Sequence, residues 1–205
     1  MTDSAFAFGL GVGTQNSKGE WLEVFFPLPR LNPSAALQTA LTGLGNNAAL
    51  DDSQLKTLQT ALSEAGDTEQ SALAGRLRGS GRPAVAVLLV EDQAPTTVPE
   101  GYLKLHLLSH RLVKPHGTNL DGLFGILPNV AWTNEGAVDI NELTERQLSA
   151  RLRGELLEVS CVDKFPKMTN YVVPGGVRIA HTARVRLGAH LGEGTTIMHE
   201  GFVNF

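Results

Sequence analysis

The sequence predicts an α/β domain followed by the first coils of a parallel β-helix, and three observations carry that prediction. First, aliphatic residues recur every six positions at Ile179, Val185, Leu191, Ile197 and Val203, each preceded two positions earlier by a small or β-branched residue: Val177, Ala183, Ala189, Thr195 and Gly201. Neither helical nor simple strand periodicity gives a period of six. It marks a hexapeptide solenoid, in which the aliphatic residue points inward, the small residue lets the chain turn, and three repeats close one coil. Second, residues 1–168 mix alternating runs with stretches of helical spacing. Third, Pro83–Val90 (PAVAVLLV) is short and wholly apolar, as a buried central strand requires.

Taken in order, Phe6, Phe8, Leu10 and Val12 alternate with Ala and Gly, and Trp21–Phe26 follows across the polar turn Gln15–Gly19, which reads as a hairpin. Pro27, Pro29 and Pro33 end it. Helical spacing runs from Ser34 to Leu44, with Gly45 as its stop. Asp51 or Asp52 caps a second helix carrying Leu55, Leu58 and Leu62 and closed by Gly66, and a third covers Thr68–Leu77. Pro99–Val113 reads as a helix with Tyr102, Leu105, Leu108 and Leu112 on one face. The stretch 114–136, rich in Gly, Pro and Asn, reads as a long ordered loop. Asp139 and Glu142 suggest a capping box opening a helix through Leu157, with Leu143, Leu148, Leu152 and Leu156. Val159–Pro174 reads as a connector. The expected division is therefore an α/β domain over 1–168 and the start of the β-helix over 169–205. Five repeats make fewer than two coils, and an open last coil leaves strand edges unpaired, so the sequence reads as a piece of a longer protein.

Composition narrows the function classes. With 17 Lys and Arg against 21 Asp and Glu, the 205-residue chain has net charge −4 and no basic run, which argues against nucleic acid or an anionic membrane as partner. No apolar run approaches the ~18 residues that span a bilayer. No basic n-region precedes an apolar segment at the N-terminus, so no signal peptide is expected. Cys161 is the one cysteine, which excludes an internal disulfide, suits a cytoplasmic setting and reads as a small buried hydrophobe.

The chemistry-bearing residues cluster late. Positions 18 apart should stack about 4.8 Å apart, which pairs His181 with His199 and Thr182 with Glu200, with His190 half a coil away. Acyl transfer to an amine needs a group that takes the amine proton and donors for the developing oxyanion. His199 or Glu200 supplies a base on this reading, and backbone N–H groups around Gly201 supply donors; a solvated His–Glu pair is the bland alternative. Gly9, Gly11 and Gly13 lack the Lys-Ser/Thr of a P-loop and read as a glycine-rich strand. His106 and His110 stand at i, i+4, but Leu107 follows His106, so HExxH fails and both read as structural. Arg178, Arg184 and Arg186 form a basic strip that reads as outward, solvated arginines, with the holding of carboxylates or CoA phosphates as the alternative.

At VRLGAHLGEGTTIMHEGFVNF, preceded by VDKFPKMTNYVVPGGVRIA, the sequence resembles tetrahydrodipicolinate N-succinyltransferases of the longer bacterial type. The resemblance runs along the whole chain, with its discriminating motifs in 159–205. It implies an N-terminal α/β domain joined to a left-handed parallel β-helix, a homotrimer, and succinyl transfer from succinyl-CoA to the amine of ring-opened tetrahydrodipicolinate, a step toward diaminopimelate and lysine. By position it places the catalytic carboxylate, as nucleophile or as base, on Glu200, and substrate contacts on His199, Gly201 and Asn204. A divalent cation (Mg2+) at the trimer axis is also implied, with no ligands assigned, and the CoA-binding coils of such proteins lie beyond residue 205. Two alternatives stand beside this reading: a hydratase holding metal on His181, His190 and His199 across a trimer interface, and a non-catalytic β-helix scaffold with an α/β binding module.

Overall fold

A computed structural model describes residues 5–41, 43–182 and 185–205. Its central strand pair arises from the unlike faces of β1 (Ala7–Gln15). Phe8 and Leu10 point to one side, while Gly9, Gly11 and Gly13 leave the other side bare. A Cβ on Gly9 would lie 2.7 Å from both Leu103 and Phe26, and one on Gly11 only 2.4 Å from the Phe25 carbonyl oxygen. The glycines are therefore where neighbouring elements come closest, as the strand reading expected and a phosphate loop would not show. Phe6 departs from that reading: it precedes the strand and packs with the opposite cluster.

β1 pairs antiparallel with β2 (Trp21–Phe25) and the short β3 (Arg30–Leu31) on one side, and with β5 (Ala84–Leu89) on the other. β4 (Ala49–Leu50) closes the far edge, in the order β2-β1-β5-β4. The expected buried strand is β5, whose Ala84 and Ala86 face one layer and Val85, Val87 and Leu89 the other.

α1 (Ala35–Leu41), α2 (Asp52–Glu64) and α3 (Thr68–Leu77) supply the leucines that cover Phe8 and Leu10. Asp51 caps α2 through a reciprocal pair, accepting from the Gln54 N–H at 2.8 Å while its own N–H donates to Gln54 Oε1 at 2.9 Å. Gly66, at φ +79°, takes the left-handed turn after α2. On the opposite face lies α4 (Val98–Ser109), capped by Thr97. It is buried on nearly every side, Lys104 and His106 included, rather than along one stripe. It ends at His110 and Arg111 turns to φ 61°, so Leu112 leaves the predicted face and is exposed.

Three expectations fail in the middle of the chain. Residues 114–136 are no plain loop: they hold α5 (Leu123–Ile126), β6 (Val130–Thr133) and the start of β7 (Gly136–Asp139). β8 (Val159–Asp163), expected as connector, completes a second antiparallel sheet in the order β7-β6-β8. Val130, Trp132 and Ala137 bury themselves against Leu22 of β2, which is what makes such short strands worth forming. α6 spans only Leu143–Leu152, and the Asp139–Glu142 capping box does not form. Asp139 instead accepts from Asn16 and Asn141, and Glu142 accepts from the Ser17 N–H, tying the loop to the β1–β2 turn. Leu148, Leu152 and Leu156 are exposed rather than buried, and so is Cys161.

The six-residue register, by contrast, is written into the backbone. Ala189, Thr195 and Gly201 donate their N–H groups to the carbonyls of Arg186, Gly192 and Met198, so a turn closes at three of the five expected small residues. Val185, Leu191 and Ile197 are buried, with Ile179 and Val203 partly so. After 18 residues the chain lies parallel on itself: β9 (Arg178–Ile179) pairs with β10 (Thr196–Ile197), and Val185 bridges Val203. Ala183 and Arg184 fall outside the described residues. This segment shares one apolar core with α4, Phe165, Met168 and Val172.

Candidate functional site

The coil is fixed against the C-terminal end of α4 by polar contacts as well as by apolar ones. Ser109 Oγ donates to the Ala189 carbonyl at 3.2 Å and accepts from the Gly188 N–H at 2.9 Å. Arg111 donates to the carbonyls of Leu191 and Gly175. A Cβ on Gly188 would lie 2.5 Å from Leu105, so only glycine lets the coil pass this close to α4.

Between coil and domain lies a cleft of about 860 Å3. One wall is the segment Pro115–Asp121; the other is Gly188, His190 and Val203–Phe205. The Val113 carbonyl stands 2.9 Å from His190 Nδ1. A carbonyl oxygen only accepts, so His190 Nδ1 is the donor in this contact. The opposite wall is held by a buried charge. Lys104 has no solvent exposure, and its ammonium donates to Asp92. Asp92 also accepts from Thr118 Oγ1 at 2.8 Å and from the Asn119 N–H at 3.1 Å. Desolvation pushes the Asp92 carboxyl up, but the hydrogen bonds from Lys104, Thr118 and Asn119, helped by the lysine charge, outweigh it and hold it below its ordinary value.

The four site residues expected from the sequence divide. Asn204 lines the cleft. His199 and Glu200 stand exposed on the turn that follows β10, and Gly201 is half-buried behind them. The Gly201 N–H already donates to Met198 at 3.0 Å, so it is not a ready oxyanion donor. His181 and His199 each follow the paired residues Ile179 and Ile197 by two positions, as the 18-residue stacking requires. Among the described residues no three His, Cys, Asp or Glu side chains converge as a metal site. Of the arginine strip, Arg178 is exposed, but Arg186 is not simply solvated: it donates to Asp163 at 2.6 Å and lies over the Phe165 ring. Sequence reasoning missed the wall built from Asp92 and residues 115–121, whose one visible signal was a lysine in the apolar stretch of α4.

His106 is structural, as the failure of HExxH at Leu107 suggested. Its Nδ1 meets the Tyr102 carbonyl at 2.7 Å and its Nε2 accepts from the Phe26 N–H at 3.2 Å, which fits a neutral ring. Burial pushes its pKa from 6.5 down to about 3, with the Tyr102 hydrogen bond opposing and neighbouring His110 adding a little. The unfolded chain takes a proton that the native ring refuses, so this contribution is complete above pH 6.5 and is lost as pH falls toward 3. Between pH 6.5 and 5 it should cost about 2 kcal/mol. Denaturant midpoints across that range test it. A His106→Gln variant should lose most of the slope; an unchanged slope would assign the acid sensitivity elsewhere.

No helix among the described residues is long and apolar enough to cross a membrane. The family model described as tetrahydrodipicolinate N-succinyltransferase, middle, matches residues 127–167. The chain is 63% identical to the 2,3,4,5-tetrahydropyridine-2,6-dicarboxylate N-succinyltransferase of Pseudomonas paraeruginosa, over 100% of this chain and 61% of that protein. It is 55% identical to the protein of the same name in Vibrio cholerae, over 98% of this chain and 60% of the relative. A solved Campylobacter jejuni structure, described as a 2,3,4,5-tetrahydropyridine-2-carboxylate N-succinyltransferase, superposes with TM-score 0.82 at 27% identity. The match covers 96% of this chain and 57% of that one. The chain thus spans about 61% of the length of its curated relatives.

Proposed function

We propose that this chain, which resembles tetrahydrodipicolinate N-succinyltransferases along its whole length, carries part of the machinery that moves succinyl from succinyl-CoA to the amine of ring-opened tetrahydrodipicolinate. The observation that carries the reading is the 63% identity across all of the chain, with the MHEGFVN run intact at Met198–Asn204. The turns closed every six residues and the parallel pairing at an offset of 18 support a left-handed β-helix from about residue 169, after an α/β domain over 1–168.

In this reading the amine nitrogen, relieved of its proton, attacks the thioester carbonyl. A tetrahedral oxyanion forms, the C–S bond breaks, and the CoA sulfur leaves to be protonated. Glu200 is the proton acceptor, with His199, Gly201 and Asn204 contacting the acceptor substrate. The exposure of Glu200 and His199 supports a site completed by further chain, either later coils or a neighbouring copy in a homotrimer. A cytoplasmic enzyme of lysine biosynthesis fits a chain with one unpaired cysteine.

The test is thiol release from succinyl-CoA in the presence of tetrahydrodipicolinate, using a protein of the relatives' full length that contains this chain. Thiol released only when both substrates are present is the expected result. Release that ignores the amine acceptor, or none at all, overturns the reading.

A further inference from the structure

A second cleft of about 520 Å3 opens where the two sheets meet, and it shares no lining residue with the cleft that holds Asn204. At its base Glu23 of β2 accepts from Thr14 Oγ1 at 2.7 Å and from the Tyr171 hydroxyl at 3.0 Å. Those donors are neutral, and no cation lies within ion-pair distance of the carboxylate among the described residues. Burial accordingly raises the Glu23 carboxyl above its ordinary value, and Thr14, Tyr171 and the charge of Arg82 offset this only in part. Phe25, Trp132 and Tyr171 supply apolar walls. The cleft is also lined by two cations that form no ion pair among the described residues, and by two further carboxylates, Glu135, which already pairs with Arg146 and Arg153, and Glu158. The Lys167 side chain has no hydrogen bond or ion pair among the described residues, and the Arg82 side chain reaches only Thr14 Oγ1, at 3.3 Å.

An under-compensated carboxylate at the base, an aromatic wall and unpaired cations at the rim are complementary to one kind of small molecule. We infer that this cleft binds an aliphatic amino acid as its zwitterion, with the ammonium on Glu23, the alkyl chain against Phe25, Trp132 and Tyr171, and the carboxylate on Lys167 and Arg82. The site is independent of the acyl-transfer reading, and each can fail without the other.

L-Norleucine, n-pentylamine and hexanoate dissect the claim, because the second lacks only the carboxylate and the third only the amine. Calorimetric titration of the 205-residue chain should give saturable norleucine binding, with each truncated probe at least tenfold weaker. Glu23→Gln keeps an acceptor for Tyr171 and should weaken norleucine at least tenfold at an unchanged melting temperature. Should that variant fold poorly, Lys167→Met serves instead, since its side chain has no partner to lose; it should weaken norleucine and leave n-pentylamine unchanged. No saturable norleucine binding, equal affinity for n-pentylamine, or equal affinity in the folded variants overturns the inference.

Discussion

Asp92→Ala is expected to destabilise the chain by about 3 kcal/mol, because it strands the ammonium of Lys104 where no water reaches it. The figure sits at the lower end for a broken buried pair, since one side of Asp92 meets solvent. The change also removes the acceptor for Thr118 and for the Asn119 N–H, so the cleft wall over 115–121 should loosen with it. Lys104→Met should cost far less: methionine fills the same apolar channel, and Asp92 keeps its contacts to Thr118 and Asn119. The double variant should therefore recover much of the loss caused by Asp92→Ala alone. Acid acts in the same sense. The folded Asp92 carboxyl titrates below its ordinary value, so its contribution is present at neutral pH and lost as pH falls through that lowered value. Urea unfolding of the three variants decides the matter. A loss under 1 kcal/mol for Asp92→Ala, or no recovery in the double variant, would mean that water reaches Lys104 after all.

Lys104 also shows what a sequence hides. One lysine in an apolar helix can reach its stem along the surface and keep its charge in water, and nothing local says otherwise. Its burial depends on Asp92 and Thr118, 12 and 14 residues away, meeting over it. The six-residue register was legible for the opposite reason: the inward positions and the turns at Ala189, Thr195 and Gly201 obey one short period, so the pattern survives without tertiary information. β6, β7 and β8 were hidden because strands of four or five residues are too short for alternation to show against Gly, Pro and Asn. What stabilises them is Leu22, more than a hundred residues upstream. α6 misled differently. Its leucines have helical spacing and the helix exists, but spacing alone cannot say what, if anything, covers the apolar face. Of the candidate site, the order of residues along the last turn was readable. The cleft beside Asn204 was not, since it is assembled from three stretches that sequence order keeps apart.

Glu200→Gln is expected to lower turnover 10²- to 10⁴-fold in a full-length protein containing this chain, the range for removing a positioned proton acceptor. The amide keeps the shape and much of the hydrogen bonding of the carboxylate, so the Michaelis constants should move little while kcat falls. A carboxylate at its ordinary value is a poor base for an alkylammonium, so one must be raised or the other lowered once substrate covers the site. Glu200 stands exposed in this chain, so that covering has to come from the bound substrate and from whatever packs over the turn after β10. His199→Ala supplies the contrast, because the adjacent imidazole is the other base within reach of the same turn. If His199→Ala abolishes turnover while Glu200→Gln retains wild-type kcat, the imidazole is the base and the assignment of Glu200 is wrong.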